Sequence, residues 1–366
     1  MKIALIAIGL LALTAVGMVL IGGASPNITV PPDPLDRIFP AVPDGVPIFG
    51  GYILTNTVFT AWVVILFLTV IALIAGPRIS LVPSGFAGFV EAIVSGFYNI
   101  VVSVAGEENG RRFFPFVATI FFYIIVANWF GLLPGVKTFG TAQPDYGERQ
   151  SVMQQVDLPL LGSFAYVPLG PQTVDVGEGE LPMMPAETAE SLGYAPGEYV
   201  ETDDGSFSGG VRGMLRPVNT DITSPLAIAI FSFIFVEFWG LQSLGFSYLG
   251  KFFQFSSIRK KGPLGVIDIF VGLLELVSEL SRMISFTFRL FGNMFAGSVL
   301  MLMMTFLVPF VLIIAFYGLE LFVGGIQAFV FAMLTLVFAV TAVQHHGDEH
   351  HDEETTHHVP QEGGAH

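Results

Sequence analysis

The chain has 366 residues, 53% of them hydrophobic and 12% charged, with no cysteine and a formal net charge of −15, so neither a disulfide framework nor a thiolate metal site exists. Several apolar runs are long enough to cross a bilayer and no alternating barrel strands are visible, which makes this an all-α polytopic membrane protein. Its acidic residues gather between Pro134 and Pro217 and in the C-terminal tail. There they mean solvation, and no basic, aromatic-interleaved pattern points to nucleic acid.

Residues 1–24 place Lys2 before a long apolar run and then Gly22-Gly23-Ala24, which reads either as a signal peptide or as an N-terminal membrane anchor. Residues 25–50 are Pro-rich, extracytoplasmic and not a regular helix. Residues 51–136 carry the first membrane helices. The span 52–75 ends at Gly76-Pro77-Arg78, a positive flank that points to the cytoplasm. In 84–105, Phe86, Phe89, Ile93, Phe97 and Val101 recur at helical spacing, but Glu91 interrupts them. This segment reads as an amphipathic helix at the inner interface. Residues 106–112 read as a cytoplasmic turn, and 113–133 as a span holding Asn128 and stopped by Pro134.

Residues 137–216 form an acidic extracytoplasmic insert rich in Gly and Pro, holding either a few strands or mostly loop. Within 217–344, the span 221–249 returns inward to Lys251, Arg259, Lys260 and Lys261, the most basic loop of the chain and hence cytoplasmic. From Pro263 to Pro309 there is no other proline. As one helix this stretch would run about 65 Å, roughly twice the hydrocarbon thickness, so it must tilt strongly or lie nearly in the membrane plane. Residues 311–343 make a second long helix and complete a hairpin. The architecture expected is therefore five or six membrane-embedded helices, one interfacial amphipathic helix and a long, near-horizontal hairpin. Residues 345–366 are a cytoplasmic tail holding every histidine. It reads as a solvated end rather than a metal site.

At 100° per residue, Glu275, Glu279, Arg282, Arg289 and Asn293 fall within roughly 80° of one another, with Ser278 and Ser285 beside them. Such a stripe needs water or a polar partner. Glu279 and Arg282 read equally well as an i,i+3 ion pair, and intramembrane Asn and Gln often only join helices. Arg289 is different. No acidic residue lies within one helical turn of it. An arginine at bilayer depth is expensive and cannot shed its proton, so it is a functional residue by default. The last helix has Glu320 and Gln327 on one face, and Asn128 and Asp221 sit inside or at the mouth of two other spans.

Arg289-Leu290-Phe291-Gly292-Asn293-Met294-Phe295-Ala296-Gly297 closely resembles the signature of subunit a of F-type ATP synthases. Val82-Pro83 with Glu91, Asn128-Trp129-Phe130-Gly131-Leu132-Leu133-Pro134, Asn219-Thr220-Asp221-Ile222-Thr223 and Gln327-Ala328-Phe329-Val330-Phe331 resemble further family segments, in order. Residues 1–24, the insert and the tail lie outside the resemblance. It implies a stator subunit facing a c-subunit ring, with a b-subunit peripheral stalk and the F1 sector as partners, in the plasma (inner) membrane of a bacterium. It also implies an outer half-channel of Asn293, Gln327, Glu320, Asn128 and Asp221, and an inner one of Glu275, Ser278 and Arg282. Arg289 would drive deprotonation of each passing ring carboxyl and keep the half-channels apart. Three positions depart from several relatives: Ser298 and Gly131 stand where an acid can occur, and Glu320 where a histidine can. No cofactor or metal is implied, and no GxxxxGK[ST] stretch is present, which leaves nucleotide chemistry to partner subunits. The rival reading, an ion-coupled secondary transporter, predicts inverted repeats and matching broken helices, and neither is visible. A purely structural anchor leaves Arg289 unexplained.

Overall fold

The computed structural model describes residues 55–76, 85–133, 215–245, Tyr248, 265–307 and 311–344, together with the strands and short segments of the insert. The signal or anchor, the Pro-rich segment, Val82-Pro83, the basic loop and the His-rich tail lie outside the described residues.

Helix α1, Asn56–Ala75, has no charged residue. Two of its threonines back-bond, Thr60 to the Asn56 carbonyl and Thr69 to the Ile65 carbonyl, both at 2.8 Å, which an apolar surrounding demands. Helix α2 is Gly85–Ala105 and α3 is Glu107–Phe130. The junction between them is tighter than the expected seven-residue turn. Gly106 alone reverses the chain, at φ 78°, while its N–H caps the Val102 carbonyl at 2.9 Å. Glu107 and Glu108 then open α3, where negative charge suits the helix dipole.

The insert carries strands, settling the choice left open by its sequence. These are β1 (Gly140–Gln143), β2 (Gln150–Leu158), β3 (Gly162–Tyr166), β4 (Thr173–Val174), β5 (Met183–Met184), β6 (Val200–Glu201) and β7 (Ser206–Gly213), with a short helix α4, Ala186–Ser191. One sheet has the order β1-β7-β2-β3, and β4 also pairs with β2; β5 and β6 form a small parallel pair. The last strand thus returns to lie between β1 and β2, in register Thr141 with Arg212 and Val152 with Ser208. This sheet is an appendage on an otherwise helical protein.

Helix α5 is Thr223–Leu244, α6 is Gly265–Leu307 and α7 is Val311–Gln344. Among the described residues, five helices are long and apolar enough to cross a membrane: α1, α2, α3, α5 and the 313–343 stretch of α7. Helix α2, read from sequence as interfacial, is among them. Helix α6, with its charged stripe, is not. The architecture is that of an all-α polytopic membrane protein.

Two compact units are distinguished, 1–83 with 121–225 and 287–329, and 84–120 with 226–286 and 330–366. In the first, Val64, Ala127 and Val218 form a buried core against Ala61, Leu68, Tyr123, Val126 and Phe130. In the second, aromatic rings hold α3 to α5: Phe116 stacks on Phe235 at 3.8 Å between centroids, and Phe113 meets Trp239 at 4.4 Å. Arg112 adds a 2.7 Å hydrogen bond to the Gln242 side-chain oxygen. Ser232 and Thr335 share a 2.8 Å hydroxyl contact that ties α5 to α7.

Candidate functional site

With no proline between 263 and 309, α6 runs unbroken for 43 residues. Phe286, Thr287, Leu290, Met294, Gly297 and Met301 fall on its buried side. Ile284, Ser285, Phe288, Arg289 and Asn293 are exposed. Asn293 nevertheless reaches α7, donating from Nδ2 to Gln327 Oε1 at 2.8 Å. Gln327 is buried, and its Nε2 has no hydrogen-bond partner among the described residues. Two residues that the resemblance groups in one half-channel are therefore joined, beside the exposed Arg289.

Within the same unit, Glu320 is 8% exposed and lines a cavity of about 250 Å³, room for several waters. Asn128, Ser298, Tyr317 and Glu320 are its polar groups; Leu132, Leu133, Pro217, Met294 and Met301 are among the apolar ones. Gly297 makes the place for Glu320, since a Cβ there would overlap the carboxyl group. The other two departures also have structural accounts. Ser298 lines the cavity as a neutral hydroxyl. At Gly131 any Cβ would lie 2.6 Å from the Pro217 ring, so no acid fits.

Asn128 is the hub of this unit. Its Nδ2 donates to the Gly324 carbonyl at 3.1 Å, and its Oδ1 accepts from Asn219 Nδ2 at 2.7 Å. Trp129 Nε1 donates to the Leu321 carbonyl at 2.9 Å. Together these bonds fix α7 one turn after Glu320. Asp221 sits elsewhere. It accepts from Thr57 Oγ1 at 3.2 Å and from the Thr223 hydroxyl and N–H, capping α5 and tying it to α1, and it does not line the cavity. Asn219 has no helical periodicity to mark it, because it lies in a single 3-10 turn, Val218–Thr220.

In the other unit, Arg282 Nη1 bonds Glu279 Oε2 at 2.9 Å and its guanidinium lies 4.5 Å from the Phe338 ring centre. These two residues do form the i,i+3 ion pair that their spacing allows. Glu279 is buried, Glu275 half-buried and Ser278 exposed. Two residues not singled out from sequence join this group. Tyr248 is buried, and its phenol is pushed above the usual range by burial and then by the Glu237 and Glu279 carboxylates, donating its hydrogen to Glu237. Among the described residues, no group of three or more His, Asp or Glu side chains is arranged to hold a metal ion.

The family model of the ATP synthase A chain matches residues 57–339, well over half of the chain. The chain belongs to that family. Curated relatives named ATP synthase subunit a agree with it over most of their length. The one from Desulfosudis oleivorans is 26% identical over 285 residues, covering 78% of this chain and 86% of the relative. That from Trichlorobacter lovleyi is 25% identical over 283 residues, 77% of this chain and 85% of the relative. A Geobacter relative is 24% identical over 290 residues, covering 79% and 88%. The ATP synthase A chain family sets this multi-pass membrane protein among the membrane-sector subunits of F-type ATP synthases, where ion transport serves ATP synthesis. Both groups of polar side chains described above lie within the matched residues.

Proposed function

We propose that the chain is the proton-translocating stator subunit of an F-type ATP synthase, forming two aqueous half-channels against a rotating c-ring and coupling proton flow to ATP synthesis. The observation that carries this is the exposure of Arg289 on α6, where the exposed residues around it, Ile284, Ser285, Phe288 and Asn293, carry no charge. A permanent cation on an exposed helix face is placed to meet an acid carried by another subunit.

The electrostatics then dictate the cycle. A ring carboxyl facing lipid is neutral, because a bare carboxylate there is too costly. Beside Arg289 its ionised form is favoured and the proton leaves. Past the arginine, water from the opposite side restores the proton and the carboxyl can re-enter lipid. The gradient supplies about 2.3 kcal/mol per charge per 100 mV to give this rotation a direction. Along α6, Glu275, Ser278 and Arg282 precede Arg289 in sequence and Asn293 follows it. We assign the first group to the inward half-channel. Asn293, Gln327, Glu320 and Asn128 go to the outward one, with Asp221 holding its frame. Hydrogen bonds from Asn128 and Asn293 to α7 support that assignment, as does the cavity beside Glu320.

On this reading the chain works in the plasma (inner) membrane of a bacterium, with the insert outside and the tail in the cytoplasm. The c-ring, the b-subunit stalk and the F1 sector are its partners. Because the chain has no cysteine, a single Phe288→Cys substitution gives this subunit one reporter thiol in the intact complex. It should form a disulfide with a thiol placed near the ring carboxyl. Cross-linking to lipid-facing probes alone, with none to the ring, would contradict the proposal.

A further inference from the structure

We propose that Glu237 is a further proton-carrying residue of the inward path, with Tyr248 as the positioning residue that sets its proton affinity; this rests on the function proposed above. Glu237 is the only ionisable residue in α5. A glutamine would hydrogen-bond a phenol as well, without the expense of a charge in an apolar helix, so a carboxyl there calls for a role that uses its proton.

The surroundings suit such a role. One turn after Glu237, Gly240 leaves a notch that Tyr248 fills. A Cβ at 240 would lie 2.6 Å from the ring Cζ and 3.0 Å from the phenol oxygen, so glycine is what admits the ring. Tyr248 is 5% exposed and donates to the Glu237 carboxylate. Glu237 is half-buried, with Oε1 shut off from solvent. From α6, Glu279 and Arg282, joined at 2.9 Å, act on the same phenol. From α3, Arg112 bonds the Gln242 and Ser243 side chains at the end of α5. Two carboxylates share this corner with Arg282, and one added proton brings the three to neutrality.

The step balances simply. The Glu237 carboxylate takes a proton from inward-side water, holds it as a carboxylic acid and returns it to the next water, leaving the carboxylate as it began. Tyr248 stays un-ionised throughout, because its own proton is held above the usual phenol range. It stabilises the carboxylate by its hydrogen bond and turns its hydroxyl when Glu237 is protonated.

The test is ATP-driven proton pumping by the whole reconstituted complex between pH 6 and 9, comparing Glu237→Gln, Glu237→Asp, Tyr248→Phe and Arg289→Ala. Glu237→Gln should slow pumping most on the alkaline limb, where uptake from the inward side limits, and Glu237→Asp should restore most of it. Tyr248→Phe removes the phenol's hydrogen bond to the Glu237 carboxylate, so it should move the alkaline limb upward. A wild-type limb in Glu237→Gln, or a uniform loss at every pH in both Glu237→Gln and Tyr248→Phe, overturns this proposal. If Arg289→Ala pumps normally, it is the underlying function that fails instead.

Discussion

The Glu320 carboxyl group lies against the backbone of Gly297, in space that any larger residue at 297 would claim. The helix that carries the glycine, α6, and the helix that carries the acid, α7, thereby come close enough to enclose the polar cavity. Gly297→Ala should therefore destabilise the folded protein by about 1–3 kcal/mol through overpacking. Adding Glu320→Ala should recover much of that loss. Thermal unfolding of the purified complex measures both, and strictly additive effects would contradict the contact.

Glu320 is also the acid of that cavity, and Glu320→Gln keeps its shape while removing its charge. Proton flux through the complex should fall, with assembly unchanged. Flux that is the same as wild type at every pH would remove Glu320 from the path.

Asn219→Leu should cost about 1–3 kcal/mol, because it leaves the buried Asn128 Oδ1 without the donor it has now. The loss should be much smaller in an Asn128→Leu background, where that acceptor no longer exists. A double-mutant cycle of unfolding free energies reads this directly.

How far the sequence foretold this arrangement depends on whether a residue belongs to a periodic element. The stripe on α6, the Glu279–Arg282 pair and the Asn293–Gln327 bond join residues on long helices, where spacing alone fixes the face. Asn128 was legible for the same reason, near the end of α3. Asn219 and Tyr248 were not, since each lies outside an α-helix and is brought to its partner by a turn. The bonds that Asp221 accepts from Thr57 and Thr223 were not legible, since they depend on where α1 and the start of α5 meet. The early start of α3 was missed because a single left-handed glycine, Gly106, does the work expected of seven residues. The sheet is not legible in the sequence because strands in a Gly- and Pro-rich insert have little alternation to read.

Tyr248 gives a pH signature. Its phenol binds a proton more tightly in the folded protein than the usual value near 10. The folded state therefore keeps a proton that the unfolded chain releases. That contribution is complete below about pH 10 and is lost as pH rises from there toward the higher folded value. Tyr248→Phe should flatten the alkaline fall in stability, seen as a smaller drop in Tm between pH 9 and 11. An unchanged drop would show that Tyr248 titrates normally.

The central claim concerns Arg289. In vesicles carrying the intact complex, Arg289→Ala should abolish ATP-driven proton pumping while the complex still assembles, because nothing is left to make the ring carboxyl release its proton. An assembled Arg289→Ala complex that pumps at the wild-type rate would contradict the account.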